Sequence, residues 1–431
     1  MAAGFRVENL KLQSGERLSL LVDAATGVPL WHPTLFVLTE LRATNRAAAT
    51  MQQATRAVMV AHQVLRHLGV DLEERLAAGQ ILELAEIDAL ADLAGLTQEA
   101  LDELLEAKWL APSARRPRVS SLERVRMRSV PTEQPLRVGS ETKGIRLIYI
   151  RDYLAWRIRG TLLKLDFQHP AYQGLVATAP LVVGRLSERI PSSSRLNDLD
   201  ARQGVGEEVR ARIAQVTHPD SPENPWKNRH VRVRNQLIVR WLLELGLRKS
   251  ELLGVQLGDL DMRANEVLIA RRADDPLEVR KEAPNVKTKD RLLALGKELA
   301  QLTREYVQGP RRAIRDARRL PYLFVATGTG LPLTKAAVSK LFIELRRKVP
   351  GLPEELSPHV LRHTWNDRFS EFMDEHGVPP DEEEKMRKQQ MGWSDSSKMP
   401  AVYTRRHTRR KTNEASMAMQ AQAFDAAKDK R

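Results

Sequence analysis

The sequence predicts a mainly α (α+β) protein of two largely helical domains, the second carrying a small antiparallel β-sheet. Three observations lead there. Apolar residues recur at helical spacing over residues 51–68 (Met51, Val58, Val60, Val64, Leu65, Leu68) and again at Leu237, Ile238, Trp241, Leu242 and Leu245; glycines, Gly69 and Gly246, close the two runs. Strand-like runs, Val267-Leu268-Ile269 and Leu292-Leu293-Ala294-Leu295, interrupt the second half. A stretch rich in proline and serine, residues 191–234, separates the two helical regions and holds the domain joint.

Residues 1–30 read as an N-terminal extended segment with Gly15 and Gly27 at turns. Residues 31–195 form the first helical domain. Its Leu-rich acidic helices, over residues 72–78, 81–93 and 97–105, are separated by Gly79 and Gly95. A basic insertion at 111–143 breaks the pattern with Pro112, Pro117, Pro131 and Pro135 and many arginines, reading equally as disordered or as phosphate-contacting. Helicity resumes over 145–165, where Tyr149, Tyr153, Leu154 and Trp156 suit a core. Residues 196–228 are expected as a linker, 229–411 as the second domain and 412–431 as a tail or helix. Gly204-Val205-Gly206 resembles half of a helix-hairpin-helix, but a plain helix entry turn is the favoured reading.

Composition narrows the function. The 431 residues include 69 Lys+Arg against 55 Asp+Glu, a formal charge of +14, which favours polyanionic partners over the alternative of a merely basic soluble enzyme. The absence of cysteine excludes disulfides, thiolate catalysis and cysteine-based zinc sites. The N-terminal region has no signal-peptide pattern, its apolar run Leu18-Ser19-Leu20-Leu21-Val22 being broken by Asp23, and no segment reaches membrane-spanning length. A cytoplasmic, nucleoid-associated bacterial protein with no membrane partner is expected.

Four segments carry candidate chemistry. In Leu245-Gly246-Leu247-Arg248-Lys249-Ser250-Glu251, Gly246 ends one helix, Arg248 sits in the connection and Ser250 can cap the next. Glu251 can orient Arg248 while a phosphate takes its free fork, although an Arg–Glu structural pair is as common. In Ser357-Pro358-His359-Val360-Leu361-Arg362-His363, Ser357 and Pro358 start a helix. His359 and Arg362 then share a face near an N-terminus that favours an anion. A zinc reading of His359 and His363 is poor, since valine stands where a glutamate base belongs; His363 reads as a packing residue. Lys287 and Lys289, two apart, face the same way on a regular strand and either can reach a phosphate. Met391-Gly392-Trp393-Ser394 and then Tyr403 complete the set; singly, each aromatic residue is most simply a packing or surface side chain.

In that order and spacing, Arg248, Lys287, His359, Arg362, Trp393 and Tyr403 resemble the tyrosine recombinase (phage integrase) family. The resemblance covers roughly residues 228–410, and the helical region from about 33 to 190 is similar in pattern to the family's core DNA-binding domain. Trp393 stands where most members have histidine. The resemblance implies a DNA breaking-rejoining fold. It also implies a site-specific recombinase (integrase) that cleaves and rejoins DNA through a covalent 3′-phosphotyrosyl intermediate, integrating or excising a mobile element.

Tyr403 is then the nucleophile; a phenol of pKa about 10 is only about one part in a thousand ionised at neutral pH, so it must lose its proton during attack. The resemblance makes His359 the base or a phosphate ligand, Arg248 and Arg362 the clamp on the non-bridging oxygens, and Lys287 (or Lys289) the donor to the departing 5′-oxygen. Trp393 donates its indole N–H or packs the pocket. No cofactor or metal is implied, the cations supplying the charge. The implied partners are double-stranded DNA recombination sites, a homotetramer at synapsis and an accessory directionality protein. The tail segment Ala415-Ser416-Met417-Ala418-Met419-Gln420-Ala421 is expected as a helix docked on a neighbouring subunit, or as a frayed end. Two rival readings are a type IB topoisomerase and a DNA-binding accessory protein without catalysis.

Overall fold

The structure is a computed structural model; it describes residues 4–110, 136–192, 204–284, 286, 288–397 and 399–428. The basic insertion lies mostly outside these residues, as do Lys287 and part of the stretch between the domains. The chain divides into two compact units, Met1–Leu196 and Asn197–Arg431. The fold is mainly helical with small antiparallel sheets, the class expected from the sequence.

In the first unit, residues 1–30 do more than extend. Strands β1 (Phe5–Lys11) and β2 (Arg17–Asp23) form an antiparallel hairpin with Phe5 opposite Asp23 and Lys11 opposite Arg17. Leu18 and Leu21 of β2 are buried against Phe36, Met51, Ala54 and Val58. Those partners come from α1 (Trp31–Phe36), which runs on as a π-helical turn over Val37–Arg42, and from α2 (Ala48–Leu68). Gly69 ends α2 in the left-handed conformation, as its position after the apolar run predicts.

Helix α3 (Leu72–Ala77) is capped by Asp71, whose carboxylate accepts the Glu73 and Glu74 amides at 2.8 and 3.2 Å. A capping box between Glu83 and Glu86 starts α4 (Leu84–Leu93). Helices α5 (Gln98–Leu110), α6 (Ser140–Leu162) and α7 (Pro170–Glu188) follow. They bury Leu90, Leu101, Leu147, Ile150, Leu154 and Leu175 with the second half of α2. Between the two apolar clusters runs a polar chain: Arg157 holds Glu73 through two bonds at 2.5 and 2.7 Å, His32 contacts Glu73 at 3.0 Å, and Tyr153 meets His62 at 3.1 Å.

The second unit opens with α8 (Glu207–Thr217), which begins directly after Gly206, as the helix-entry reading of that glycine step expects. This helix lies within the stretch expected as a linker, and its Ile213 and Val216 join the unit's core with Trp226. Helix α9 (Arg229–Leu245) runs through the middle of that core. Its Trp241 is fully buried, donating its indole N–H to Thr303 Oγ1 at 3.0 Å and meeting Phe324 edge-on. The short α10 (Lys249–Gly254) leads to a three-stranded antiparallel sheet of β3 (Leu260–Asp261), β4 (Glu266–Ile269) and β5 (Arg291–Ala294). Then come α11 (Lys297–Tyr306), α12 (Lys335–Lys348), α13 (Pro358–Glu375), α14 (Pro380–Met391) and the long α15 (Met399–Lys428). The expected tail residues Ala415 to Ala421 continue α15 without a break. No helix among the described residues is long and apolar enough to cross a membrane.

Burial, with the nearby Arg157 charge second, pushes the His62 pKa down to about 4. In the unfolded chain it returns to about 6.5. The folded unit therefore keeps its full stability above that value and loses it as pH falls toward 4, because only the unfolded chain takes up the proton. The loss attributable to His62 is at most about 3 kcal/mol. His62→Gln is expected to narrow the difference between melting temperatures at pH 7 and pH 4.5 by several degrees relative to the unchanged protein.

Candidate functional site

The site is assembled around one carboxylate. Glu251, on the first turn of α10, is 1% exposed and reaches in two directions. Its Oε2 accepts the Arg248 backbone N–H at 2.9 Å and an Arg291 Nη2 bond at 3.0 Å, while Oε1 accepts Arg248 Nη1 at 3.2 Å and Thr288 Oγ1 at 2.8 Å. Arg362 Nη1 lies 3.6 Å from Oε2. Burial alone raises a carboxyl pKa, but Arg291, Arg362 and Arg248 outweigh it and hold Glu251 below the ordinary range. The expected Arg248–Glu251 pair is thus part of a cluster of three guanidiniums on one anion.

Local sequence explains how these residues meet. Gly246 ends α9 at φ +64°, and a Cβ there would stand 2.8 Å from Met391 Cε and 2.9 Å from Trp365. The chain then turns sharply enough to put Arg248 at the N-cap of α10. Arg362 is fully buried on α13 and donates to the Gly246 carbonyl at 2.7 Å, so the helix end and the second arginine fix each other. Ser357 caps α13 through the Val360 amide, and Pro358 occupies the first turn. His359 and Arg362 consequently emerge from one end of one helix, and with Arg248 they line a cleft of about 480 Å³.

His363 is buried beside His359, their Nε2 atoms 3.3 Å apart and their rings edge to face. Trp393 is 6% exposed and packs with Met391, Trp365 and Met399, while the Arg362 guanidinium lies 5.6 Å from its ring centroid. Among the described residues, no group of His, Asp and Glu is arranged to hold a metal ion.

Sequence reasoning did not find Arg291, Thr288 or Arg387. Arg291 follows Lys287, Lys289 and Asp290 in a charged stretch between the strand-like runs. In the structure it opens β5 as a buried residue, its Nε donating to the Gln390 carbonyl at 2.7 Å. The usable signal was its place at the start of a strand whose alternate residues face the core. Gly392, at φ +66°, admits this arrangement: a Cβ would lie 2.7 Å from Arg291 Nη1, 2.9 Å from Thr288 Cβ and 3.0 Å from the Lys289 carbonyl. The Lys289 amide donates to the Gly392 carbonyl at 3.0 Å, tying the lysine loop to the turn before Trp393.

Arg387 is fully buried on α14 and bonds the Asn366 carbonyl and side chain at 3.0 and 2.8 Å, Ser370 at 2.7 Å, and Glu383. It locks α14 to α13.

Lys287 lies outside the described residues. Lys289 is exposed and sits 3.4 Å from Asp395, a surface pair of little energetic weight. Tyr403 lies on α15, in its second turn; farther along, α15 is held to α13 by Arg410–Glu371 at 2.8 Å and Lys411–Asp374 at 3.1 Å. The structure therefore brings Arg248, His359 and Arg362 to one cleft, with Trp393 against Arg362.

The sequence model of the Phage integrase family matches residues 222–410, the span that contains every one of these residues. Over those residues the chain is similar to that family. Within the chain, 134 residues are 28% identical to tyrosine recombinase XerC of Bacillus licheniformis, covering 31% of this chain and 39% of that one. Another 27% identity extends over 136 residues of tyrosine recombinase XerD of Proteus mirabilis, covering 31% and 38%. The chain thus spans about two fifths of the length of the curated relatives it matches. Among solved structures, XerH site-specific recombinase bound to palindromic difH substrate covers 84% of this chain and 97% of its own, with 14% identity and a TM-score of 0.42.

Glu251→Gln removes an anion shared by three buried or half-buried arginines. Breaking a buried ion cluster from one side costs about 3–5 kcal/mol, and a lower urea midpoint is the expected result. The carboxylate's contribution is present above about pH 4.5, its unfolded value, and disappears as pH falls through the lower folded pKa. The glutamine variant should therefore lose less stability than the unchanged protein between pH 5 and pH 2.

Proposed function

We propose that the protein is a tyrosine-type site-specific DNA recombinase that cleaves and rejoins duplex DNA through a 3′-phosphotyrosyl intermediate. The observation that carries the reading is the convergence of Arg248, His359 and Arg362 on one cleft inside the span similar to the integrase family, with two of the three braced by the buried Glu251. Two guanidiniums already oriented by protein bonds can clamp the non-bridging oxygens of a phosphodiester with little reorganisation as charge shifts onto them.

In the proposed reaction the Tyr403 oxygen attacks phosphorus and its proton passes to His359 or to water. The 5′-oxygen departs with the bond it held to phosphorus and takes a proton from Lys287, or from Lys289 in its place. The phosphotyrosyl ester conserves the bond, so a 5′-hydroxyl of another strand reverses the step without an external energy source. Trp393 keeps the Arg362 guanidinium against an apolar ring and narrows access of water to it. The proposed setting is cytoplasmic and bacterial. There a homotetramer acts on paired DNA sites to integrate or excise a mobile element, and an accessory protein sets direction. The proposed domain roles are a DNA-gripping first unit and a catalytic domain over residues 229–411.

The test uses nicked suicide duplexes built from repeats flanking the gene. The unchanged protein should form a covalent protein–DNA adduct stable to denaturant, Tyr403→Phe should form none, and Arg248→Ala should slow adduct formation by about 100-fold. An adduct that survives in Tyr403→Phe overturns the assignment of the nucleophile. Efficient relaxation of a plasmid lacking any such repeat indicates a type IB topoisomerase instead, and absence of adduct in every form indicates a DNA-binding protein without catalysis.

A further inference from the structure

The cleft is lined by more cations than the two arginines assigned to one phosphodiester. Its volume is about 480 Å³. Its lining includes Arg248, Arg362, Lys249 and Arg346 but, among the described residues, no aspartate or glutamate. Glu251, behind the wall, is committed to Arg248, Arg291 and Arg362.

Lys249 and Arg346 have no carboxylate partner among the described residues. Lys249 is half-buried at the start of α10, and its Nζ donates to Ser339 Oγ on α12 at 2.8 Å. Ser339 in turn donates to the Lys335 carbonyl at 3.1 Å, which orients its lone pair toward the ammonium. Two further ammonium protons remain for another acceptor. Burial with no compensating carboxylate holds the Lys249 pKa below the usual lysine range. Arg346, also half-buried, spends one nitrogen on the Leu356 carbonyl at 2.5 Å and has no ion pair among the described residues.

A half-buried cation without a counter-ion is costly unless an anion arrives. DNA supplies anions in a row, one every 3.4 Å or so of rise along each strand. We propose that Lys249 and Arg346, spaced by Ser339, form a second phosphate site that grips the phosphate neighbouring the scissile one on the same strand. The inference rests on the recombinase reading above. The first site performs the chemistry, and the second fixes the strand's register so that the correct phosphorus faces Arg248 and Arg362.

Salt-dependent binding to a duplex carrying the flanking repeat, measured with the full chain, tests the site first. Neutralising one phosphate contact should make the slope of log affinity against log salt shallower by about 0.9. Lys249→Gln and Arg346→Gln are each expected to show this change, while Lys249→Arg keeps the slope of the unchanged protein. A slope unaltered in both glutamine variants overturns the proposal. So does loss of affinity at constant slope, which reports a folding defect in place of a lost ionic contact. If Lys249→Gln fails to fold, Arg346→Gln decides alone.

Once the adduct has mapped the cleaved phosphate, neutral methylphosphonates are placed one position at a time. Substitution next to that phosphate should slow adduct formation in the unchanged protein and add nothing in Lys249→Gln. Equal added losses at every position in Lys249→Gln overturn the assignment. Failure of the recombinase reading registers separately, as absence of adduct in the unchanged protein, and the salt slope still decides whether Lys249 meets a phosphate.

Discussion

A carboxylate with almost no solvent access, Glu251, is the constraint on which the second unit's cleft depends. Three guanidiniums within one small volume repel one another, and in a poorly hydrated interior that repulsion is strong. Glu251 makes the crowding tolerable by accepting from Arg248 and Arg291 and by standing close to Arg362. Because those arginines come from the α9–α10 connection, from β5 and from α13, the same anion joins three parts of the chain that are far apart in sequence. Among the described residues, one carboxylate faces three guanidiniums here, an arrangement that leaves a positive balance favouring an anion.

The glycines and the buried arginines set the tolerance of this arrangement. Gly246 and Gly392 each adopt a left-handed conformation at a point where a Cβ would strike neighbouring atoms closer than 3.0 Å. Each lets neighbouring groups close onto the backbone, the Trp365 and Met391 side chains at Gly246, and Arg291, Thr288 and the Lys289 carbonyl at Gly392. Arg387 holds α14 against α13 through Asn366 and Ser370, with Glu383 of α14 beside it, and the turn after α14 carries Trp393 onto the Arg362 guanidinium. Arg362 is thereby held fully buried at the wall of the cleft.

The first unit follows a different logic. It has two apolar clusters and a polar chain between them, in which Arg157, Glu73 and His32 satisfy one another, with Tyr153 and His62 paired beside them. The N-terminal hairpin is integral to this packing: Leu18 and Leu21 complete a cluster with Phe36 and α2. Its alternation is weak, since β2 buries most of its residues, which is why periodicity alone suggested extended pieces and turns and no sheet partner.

Much was legible in the chain itself. The helical periods that end at Gly69 and Gly246, the Ser357-Pro358 start of α13 and the His359–Arg362 spacing are local: backbone sterics, capping and a 3.6-residue repeat determine them within a few neighbours. The family resemblance also lay in the order of a few residues, and residues 222–410 bear it out. Tertiary structure alone decided which charges share an anion. Arg291 and Lys289 are two residues apart and look alike in sequence. One is buried on Glu251 and the other pairs loosely with Asp395 at the surface. That difference arises from the side of the β5 entry that faces the core and from where Gly392 permits the loop to dock. Lys249 is the same lesson in reverse. Its sequence position beside Arg248 was plain, but only the packing of α12 against α10 leaves its charge half-buried with a serine for company.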